Sequence, residues 1–166
     1  MKNIYFFETQ IGRIGIAEEA GRITNVFFET DYSMEASLDE EKFLQQSGLY
    51  LKETTLLTDA GKQLDEYLKG KRMAFDLPLA PKGTDFMKSV WNCLNTIPYG
   101  DTRSYRQIAE AAGNPKACRA VGMANNKNPI PIFIPCHRVV GTNGSLTGYR
   151  GGLEIKQKLL EIEKSK

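Results

Sequence analysis

The fold of this chain is most closely specified by the stretch Ser104-Tyr-Arg-Gln-Ile-Ala-Glu-Ala-Ala-Gly-Asn-Pro-Lys-Ala-Cys-Arg-Ala-Val-Gly-Met-Ala-Asn125. Ser104 and Gln107 have the spacing of a capping box, in which two side chains accept hydrogen bonds from otherwise unpaired backbone N–H groups at a helix start. A helix is predicted over residues 105–112. It should end at Gly113, because glycine readily adopts the left-handed conformation that follows many helices.

A second helix is predicted directly after this turn, over residues 116–125. Asn114 can cap it, and Pro115 suits its first position. Small side chains in this helix allow another backbone to approach closely, while Lys116 and Arg119 supply positive charge for phosphates. Two helices joined by a short glycine-containing turn are typical of a helix–turn–helix motif. An ordinary packed helix pair is the alternative interpretation.

The first half of the chain is typical of a β-rich domain. Three short apolar segments separated by turn residues predict an antiparallel meander over residues 4–7, 12–17 and 23–28. Residues 31–53 are polar and predict loops or partly helical structure. A helix is predicted over residues 58–69, and a short edge strand over residues 75–79.

Two domains are predicted, because residues 78–83 have the composition of a linker. The charge differs between them: residues 1–80 carry 9 Lys/Arg against 14 Asp/Glu, whereas residues 81–166 carry 13 against 6. We therefore expect a structural domain over residues 1–80 and a domain that meets a polyanion over residues 81–166. Chance scatter of surface charge is the alternative.

The composition excludes several classes of protein. Apolar residues make up 41% of the 166 residues and charged residues 25%, as in globular proteins. No apolar stretch has membrane-spanning length and the N-terminus lacks a signal-peptide layout, so a cytoplasmic location is expected. Three cysteines without C-x-x-C spacing and a single histidine predict no metal site. The chain has no dinucleotide or phosphate-loop fingerprint, so no cofactor is expected.

The only histidine, His137, directly follows Cys136 in a segment bounded by prolines. Cysteine is nucleophilic as its thiolate, so a reactive cysteine needs a base or a positive charge nearby. Because consecutive side chains of an extended segment point to opposite sides, we expect a water molecule between these two side chains rather than a direct hydrogen bond.

The final helix offers a partner for this histidine. At about 100° per residue, its inward face is defined by apolar residues, namely Leu153, Ile155, Leu159, Leu160 and Ile162. Glu163 lies near the centre of that face, whereas Glu154 and Glu161 project to the opposite side. A carboxylate on an apolar face is costly unless it is paired, so Glu163 is expected to orient His137. The alternative is a terminal glutamate in solvent.

These residues together resemble a known family. Pro135-Cys-His-Arg-Val139, preceded by Asn128-Pro-Ile-Pro-Ile-Phe-Ile and by the helix pair, and followed by Tyr149-x-Gly-Gly152, is similar to the O6-alkylguanine-DNA alkyltransferases. The motifs cover about residues 84–163. The resemblance implies an α+β fold, with an antiparallel β-rich, ribonuclease H-like domain followed by a mainly helical domain that carries a winged helix–turn–helix-like motif.

The resemblance also implies a function. The protein would flip O6-methylguanine, and as a minor substrate O4-methylthymine, out of double-stranded DNA bound through its minor groove. It would transfer the alkyl group irreversibly, in one turnover and as a monomer, to its own Cys136. His137 would be the water-relayed base, and Glu163 would orient it.

Further roles are implied position by position. Tyr105 would donate a hydrogen bond toward the guanine ring and crowd the phosphate. Arg119 would take the vacated place in the base stack, beside Lys116 and Ala120 on the DNA-binding surface. Asn128 would be the hinge between the DNA-binding helices and the active-site loop.

The base pocket would be lined by Val139, Tyr149 and Arg150. The sequence departs from the family pattern at Arg150, where many relatives carry a small residue, and at Cys118, which occupies a usual alanine position. The zinc ligands that some relatives hold in the first domain cannot be built here.

Three other functions are compatible with parts of the pattern. A Cys-His hydrolase would turn over many substrate molecules. A non-catalytic lesion-binding protein usually has tryptophan in place of the cysteine, so Cys136 argues against it. A plain helix–turn–helix regulator would leave the cysteine, histidine and glutamate without a role.

Overall fold

The computed structural model describes residues 1–32 and 40–165, and the chain divides into two compact units, Met1–Pro81 and Lys82–Lys166. No helix of the described residues is both long and apolar enough to cross a lipid bilayer. Each unit has its own sheet and its own buried core.

The first unit begins with the expected antiparallel meander, which consists of β1 (Lys2–Thr9), β2 (Gly12–Glu19) and β3 (Arg22–Phe27). A two-residue turn joins β2 to β3. Ala20 and Gly21 both have positive φ in this turn, at 52° and 77°, which matches the right-handed twist of the flanking strands.

A fourth strand, β4 (Leu49–Leu51), pairs in parallel with β1, so the strand order is β3-β2-β1-β4 and the sheet is mixed. This strand was not predicted, since three residues are too few for the alternating pattern of a strand. The helices of this unit are α1 (Glu29–Tyr32), α2 (Glu40–Ser47) and α3 (Thr55–Leu68). The expected partly helical character of residues 31–53 is thus confirmed outside residues 33–39, which lie beyond the described residues.

The predicted edge strand over residues 75–79 was wrong. Only an isolated bridge forms there, in which Ile23 N–H donates to Pro78 O at 2.8 Å and Ala80 N–H donates to Ile23 O at 2.8 Å. Pro78 and Pro81 have no backbone N–H, so the ladder cannot continue along this segment.

The second unit is mainly helical. Its helices are α4 (Asp85–Leu94), α5 (Tyr105–Ala111), α6 (Cys118–Asn126) and α7 (Leu153–Lys164). Two short strands, β5 (Arg103–Ser104) and β6 (Val139–Val140), pair in parallel. This pairing brings the start of α5 beside the segment that follows Cys136 and His137.

The capping box at the start of α5 is confirmed. Ser104 N–H donates to Gln107 Oε1 at 2.8 Å, and Gln107 N–H donates to Ser104 Oγ at 3.1 Å. Gly113 follows the helix with φ of +83°. The start of α6 differs from the prediction, because Ala117 N–H donates to Asn114 O at 3.0 Å and closes a turn. Pro115 occupies the second position of that turn, so Asn114 does not cap the helix.

Candidate active site

His137 and Glu163 meet in the interior of the second unit. His137 Nε2 lies 2.7 Å from Glu163 Oε2, and the two residues are 0% and 2% exposed. The two residues are 26 positions apart in the chain, and the helical phase of Glu163 predicted their contact. An ionised carboxylate there favours the tautomer with hydrogen on Nε2, which makes Nδ1 the acceptor nitrogen of the ring.

Arg138 is a member of this cluster that the sequence analysis missed. Its Nε donates to Glu163 Oε1 at 2.8 Å, its Nη2 to Glu163 Oε2 at 3.1 Å, and its Nη1 to Ile97 O at 2.8 Å. Gly100 N–H also donates to Glu163 Oε1, at 3.1 Å. The carboxylate is therefore fixed in orientation and its charge is compensated. A bidentate guanidinium achieves both better than an ammonium does.

The segment that carries Cys136 is not extended, so that part of the prediction was wrong. Residues Cys136–Arg138 form one 3₁₀ turn, closed by a hydrogen bond from Arg138 N–H to Pro135 O at 3.1 Å. Successive side chains of such a turn diverge by about 120° rather than 180°. Cys136 and His137 still point in different directions, now for a different geometrical reason.

Two asparagines at the end of α6 and just beyond it hold the cysteine. Asn125 Nδ2 donates to the carbonyl oxygen of Cys136 at 3.2 Å. Asn128 Nδ2 donates to Ile134 O at 2.9 Å, and its Oδ1 accepts from Ile130 N–H at 3.0 Å. These contacts connect the helix pair directly to the reactive turn.

The pKa shifts of Cys136 and His137 follow from the burial of both side chains. Burial raises the pKa of the Cys136 thiol, while the Asn128 side chain and the positive charges of Arg150 and Lys156 oppose that rise. Burial lowers the pKa of His137, against the opposing effect of Glu163. The resting state at neutral pH is thus a thiol beside a neutral imidazole, which is the form able to accept a proton.

Lys156 is a second site residue that the sequence analysis missed. It is 0% exposed, and its Nζ donates to Thr147 O at 2.8 Å. Burial lowers its pKa from 10.5 to about 8. The available signal was its spacing, since a residue seven positions before Glu163 lies within about 20° of it on a helix.

Tyr105 contacts Thr147, the residue that also accepts a hydrogen bond from Lys156. Its phenol O–H donates to Thr147 O at 3.1 Å and accepts from the Thr147 hydroxyl at 3.3 Å. Arg150 Nη1 donates to Asn128 O at 3.2 Å, while Val139 and Tyr149 are buried.

Two family models match the chain. The model described as 6-O-methylguanine DNA methyltransferase, DNA binding domain, matches residues 85–165. The model described as 6-O-methylguanine DNA methyltransferase, ribonuclease-like domain, matches residues 4–81. This chain belongs to the 6-O-methylguanine DNA methyltransferase family. The expected family resemblance and α+β fold class are therefore confirmed over both units.

Relatives within the family agree in both sequence and fold. The chain is 51% identical over 158 residues to the constitutive methylated-DNA–protein-cysteine methyltransferase of Bacillus subtilis, covering 95% of this chain and 92% of that protein. It is 46% identical to the Methanosarcina acetivorans protein of that name, covering 96% of each. The crystal structure of the Mycobacterium tuberculosis O6-methylguanine methyltransferase matches with a TM-score of 0.85 and 40% identity, covering 99% and 94% of the two chains. A second crystal structure from that organism, in complex with DNA, matches with a TM-score of 0.85 and 40% identity over 98% and 93%.

The second unit of this methyltransferase family member is its DNA-binding domain. Arg119 and Ala120 lie exposed on α6, and Lys116 lies exposed in the turn before it. The structure thus presents these three residues at the surface, apart from the buried cluster around Cys136. Among residues 1–32 and 40–165, no group of three or more His, Cys, Asp or Glu side chains is placed to hold a metal ion.

Proposed function

We propose that this protein repairs DNA by transferring the alkyl group of O6-methylguanine to its own Cys136. The observation that carries the proposal is the buried cysteine next to a histidine–glutamate pair, in a family whose named relatives are methylated-DNA–protein-cysteine methyltransferases. Cys136 is the acceptor, His137 its base, and Glu163 the group that orients the base.

The chemistry needs one proton transfer and one displacement. His137 Nδ1 takes the thiol proton through a water molecule, and the thiolate attacks the alkyl carbon. A C–S bond forms as the C–O6 bond breaks, and its electron pair moves into the guanine, which takes up a proton. The thioether is stable, so each chain acts once.

The lesion has to leave the base stack, because a base inside a duplex cannot present its alkyl carbon to a buried thiolate. Unstacking costs a few kcal/mol, which an inserted side chain partly offsets. We assign that insertion to Arg119. Ala120 allows α6 to lie close in the minor groove, and Lys116 contacts phosphate.

The remaining site residues form the pocket for the flipped base. Tyr105 leaves Thr147 and donates its phenol hydrogen to the departing guanine. Val139, Tyr149 and Arg150 line the pocket, and Asn128 is the hinge between α6 and the reactive turn. Residues 1–80 serve as a structural domain, and the protein acts as a monomer on guanine lesions and, more slowly, on O4-methylthymine.

The test is to mix the protein with a duplex oligonucleotide that contains one O6-methylguanine and to weigh the intact protein. We expect a mass gain of one methyl group per chain, located at Cys136 by peptide mapping. A Cys-His hydrolase would instead turn over repeatedly on a thioester, and a lesion-binding protein would bind the duplex without changing mass. Either result, or methyl release exceeding one per chain, would overturn the proposal.

A further inference from the structure

One half of the Asn125 side-chain amide has no partner. Asn125 is 2% exposed and its Nδ2 donates to Cys136 O at 3.2 Å, but no donor of residues 1–32 or 40–165 forms a hydrogen bond with its Oδ1. Exchanging the two amide atoms would bring two oxygens together at Cys136, so Oδ1 is the atom without a partner. A buried polar atom of this kind destabilises a fold and therefore needs a functional explanation.

The backbone carbonyls on either side of this amide are already occupied. Cys136 O accepts from Asn125 Nδ2 and from Val139 N–H. Ile134 O accepts from Asn128 Nδ2 at 2.9 Å and from Cys136 N–H at 2.8 Å. A carbonyl oxygen has two lone pairs, so neither of these two can accept a further hydrogen bond. Asn125 Oδ1 is bonded to the same carbon as Nδ2, and it is therefore an acceptor beside the reactive turn that the described residues leave for another donor.

The donor that reaches this turn in the proposed reaction is the flipped base. Cys136 is itself 4% exposed, so the alkyl carbon can meet its sulfur only when the site opens around the base, and the same opening admits the base beside Asn125. Alkylation at O6 removes the proton from N1 of guanine, which leaves the 2-amino group as the N–H donor of the base. A thymine lesion carries a carbonyl oxygen in the corresponding place.

We propose that Asn125 Oδ1 accepts a hydrogen bond from the 2-amino group of O6-methylguanine, which makes Asn125 a substrate-binding residue that determines specificity. This inference rests on the proposed function. Nδ2 stays on Cys136 O, so one amide joins the edge of the base to the backbone of the acceptor cysteine. A thymine lesion would place an oxygen against Oδ1 and leave it unpaired, which explains a slower reaction with O4-methylthymine.

The test uses two duplex oligonucleotides that differ only in the amino group of the lesion, O6-methylguanine and O6-methylhypoxanthine. The second-order rate constant of methyl transfer is measured for each by intact mass. For the parent protein we expect transfer from O6-methylguanine to be about tenfold faster, as for one hydrogen bond. In Asn125→Leu, whose side chain has a similar size but no acceptor, this ratio should fall to about one.

The change in the ratio separates recognition from structure. The two lesions differ in how easily they leave the duplex, but that difference is the same for both proteins. Asn126→Leu, which alters the exposed neighbour on α6, should keep the ratio of the parent. An Asn125→Leu protein that reacts more slowly with both lesions by the same factor would overturn the proposal, because a purely structural role lowers both rates alike.

A second measurement keeps the proposal testable if Asn125→Leu fails to fold. The parent protein is incubated with O6-methylguanine and O6-methylhypoxanthine as free bases, which need no flipping. Faster transfer from O6-methylguanine supports the contact, whereas equal rates overturn it. Failure of the proposed function is distinguishable, because neither lesion would then add a methyl group to Cys136 of the parent protein.

Discussion

The first unit, residues 1–81, and the second unit, residues 82–166, bury different kinds of polar group. Among the described residues, the first unit buries Glu18, Thr24 and Gln63, which reach near neighbours such as Asn3 and the backbone of residue 76. The second unit also buries charged and titratable side chains, and it joins His137, Arg138 and Glu163 in one hydrogen-bonded cluster directly after the buried Cys136.

This difference distinguishes a unit with a mainly apolar core from the unit that carries the candidate active site. Buried charges destabilise a fold unless they are paired, and apolar residues of similar volume are often the more stable choice. A unit that concentrates several of them around a nucleophile is therefore shaped by its reaction rather than by stability. Among the described residues, the core of the first unit is apolar apart from Glu18, Thr24 and Gln63.

Cys136→Ala should have the largest effect on activity. Loss of the acceptor sulfur should abolish methyl transfer completely, while the fold is retained because alanine fits a site built for a small buried side chain. Intact mass after incubation with lesion-containing duplex measures the transfer. Cys118→Ala is the matched control, and its exposed position predicts full activity. Methyl gain in the Cys136→Ala protein would place the acceptor elsewhere.

Arg138→Met should have the largest effect on stability. It leaves the Glu163 carboxylate buried without its guanidinium, which costs about 3–5 kcal/mol of unfolding free energy. Urea unfolding measures the loss. Adding Glu163→Gln to the same chain should restore much of it, because the unpaired charge is then removed.

The corresponding change in the first unit is Arg13→Met. Arg13 pairs with Glu8 and Glu40 at 2.7 and 2.8 Å, but its side chain is 35% exposed. A loss of about 0–1 kcal/mol is expected there. If Arg13→Met and Arg138→Met lowered the unfolding free energy equally, the proposed difference between the two units would be contradicted.

Arg119→Ala should weaken flipping rather than chemistry. The reaction with O6-methylguanine in duplex DNA should slow about tenfold or more, since a few kcal/mol of unstacking is no longer offset. The reaction with the free base should be nearly unchanged. Lys127→Ala, which removes one exposed charge at the end of the same helix, should weaken binding to all DNA alike. If the reaction slowed equally with duplex DNA and with the free base, Arg119 would not be the side chain that takes the vacated place in the base stack.

The last expected effect is on the pH dependence of stability. Burial lowers the pKa of His137 below its ordinary value of 6.5, so below that pH the unfolded chain takes up a proton that the folded chain does not. Stability should therefore fall as the pH drops below about 6.5, by at most about 1.4 kcal/mol per pH unit from this group. His137 is the only histidine, so His137→Gln should flatten the slope between pH 5 and 6.5 in urea unfolding. An unchanged slope would show that His137 titrates normally in the folded protein.

Much of the candidate site could be predicted because its signals are local. The Ser104–Gln107 capping box depends on residues three positions apart, and Glu163 was placed by helical phase alone. The cap of α6 was mispredicted for a local reason too, since Asn114-Pro115 also favours the turn that the chain adopts.

By itself, the sequence determined the helix pair, the first three strands, the reactive cysteine and histidine, and the carboxylate that faces them. These depend on side-chain periodicity, caps and turn residues within a few positions of one another. Only the tertiary structure decided that β4 joins the sheet in parallel, that Arg138 shares Glu163 with His137, and that Lys156 is buried with its ammonium donating to Thr147 O. Helical periodicity shows that Glu163 faces inward, but it carries no record of which further side chains the packing of whole elements brings to that carboxylate.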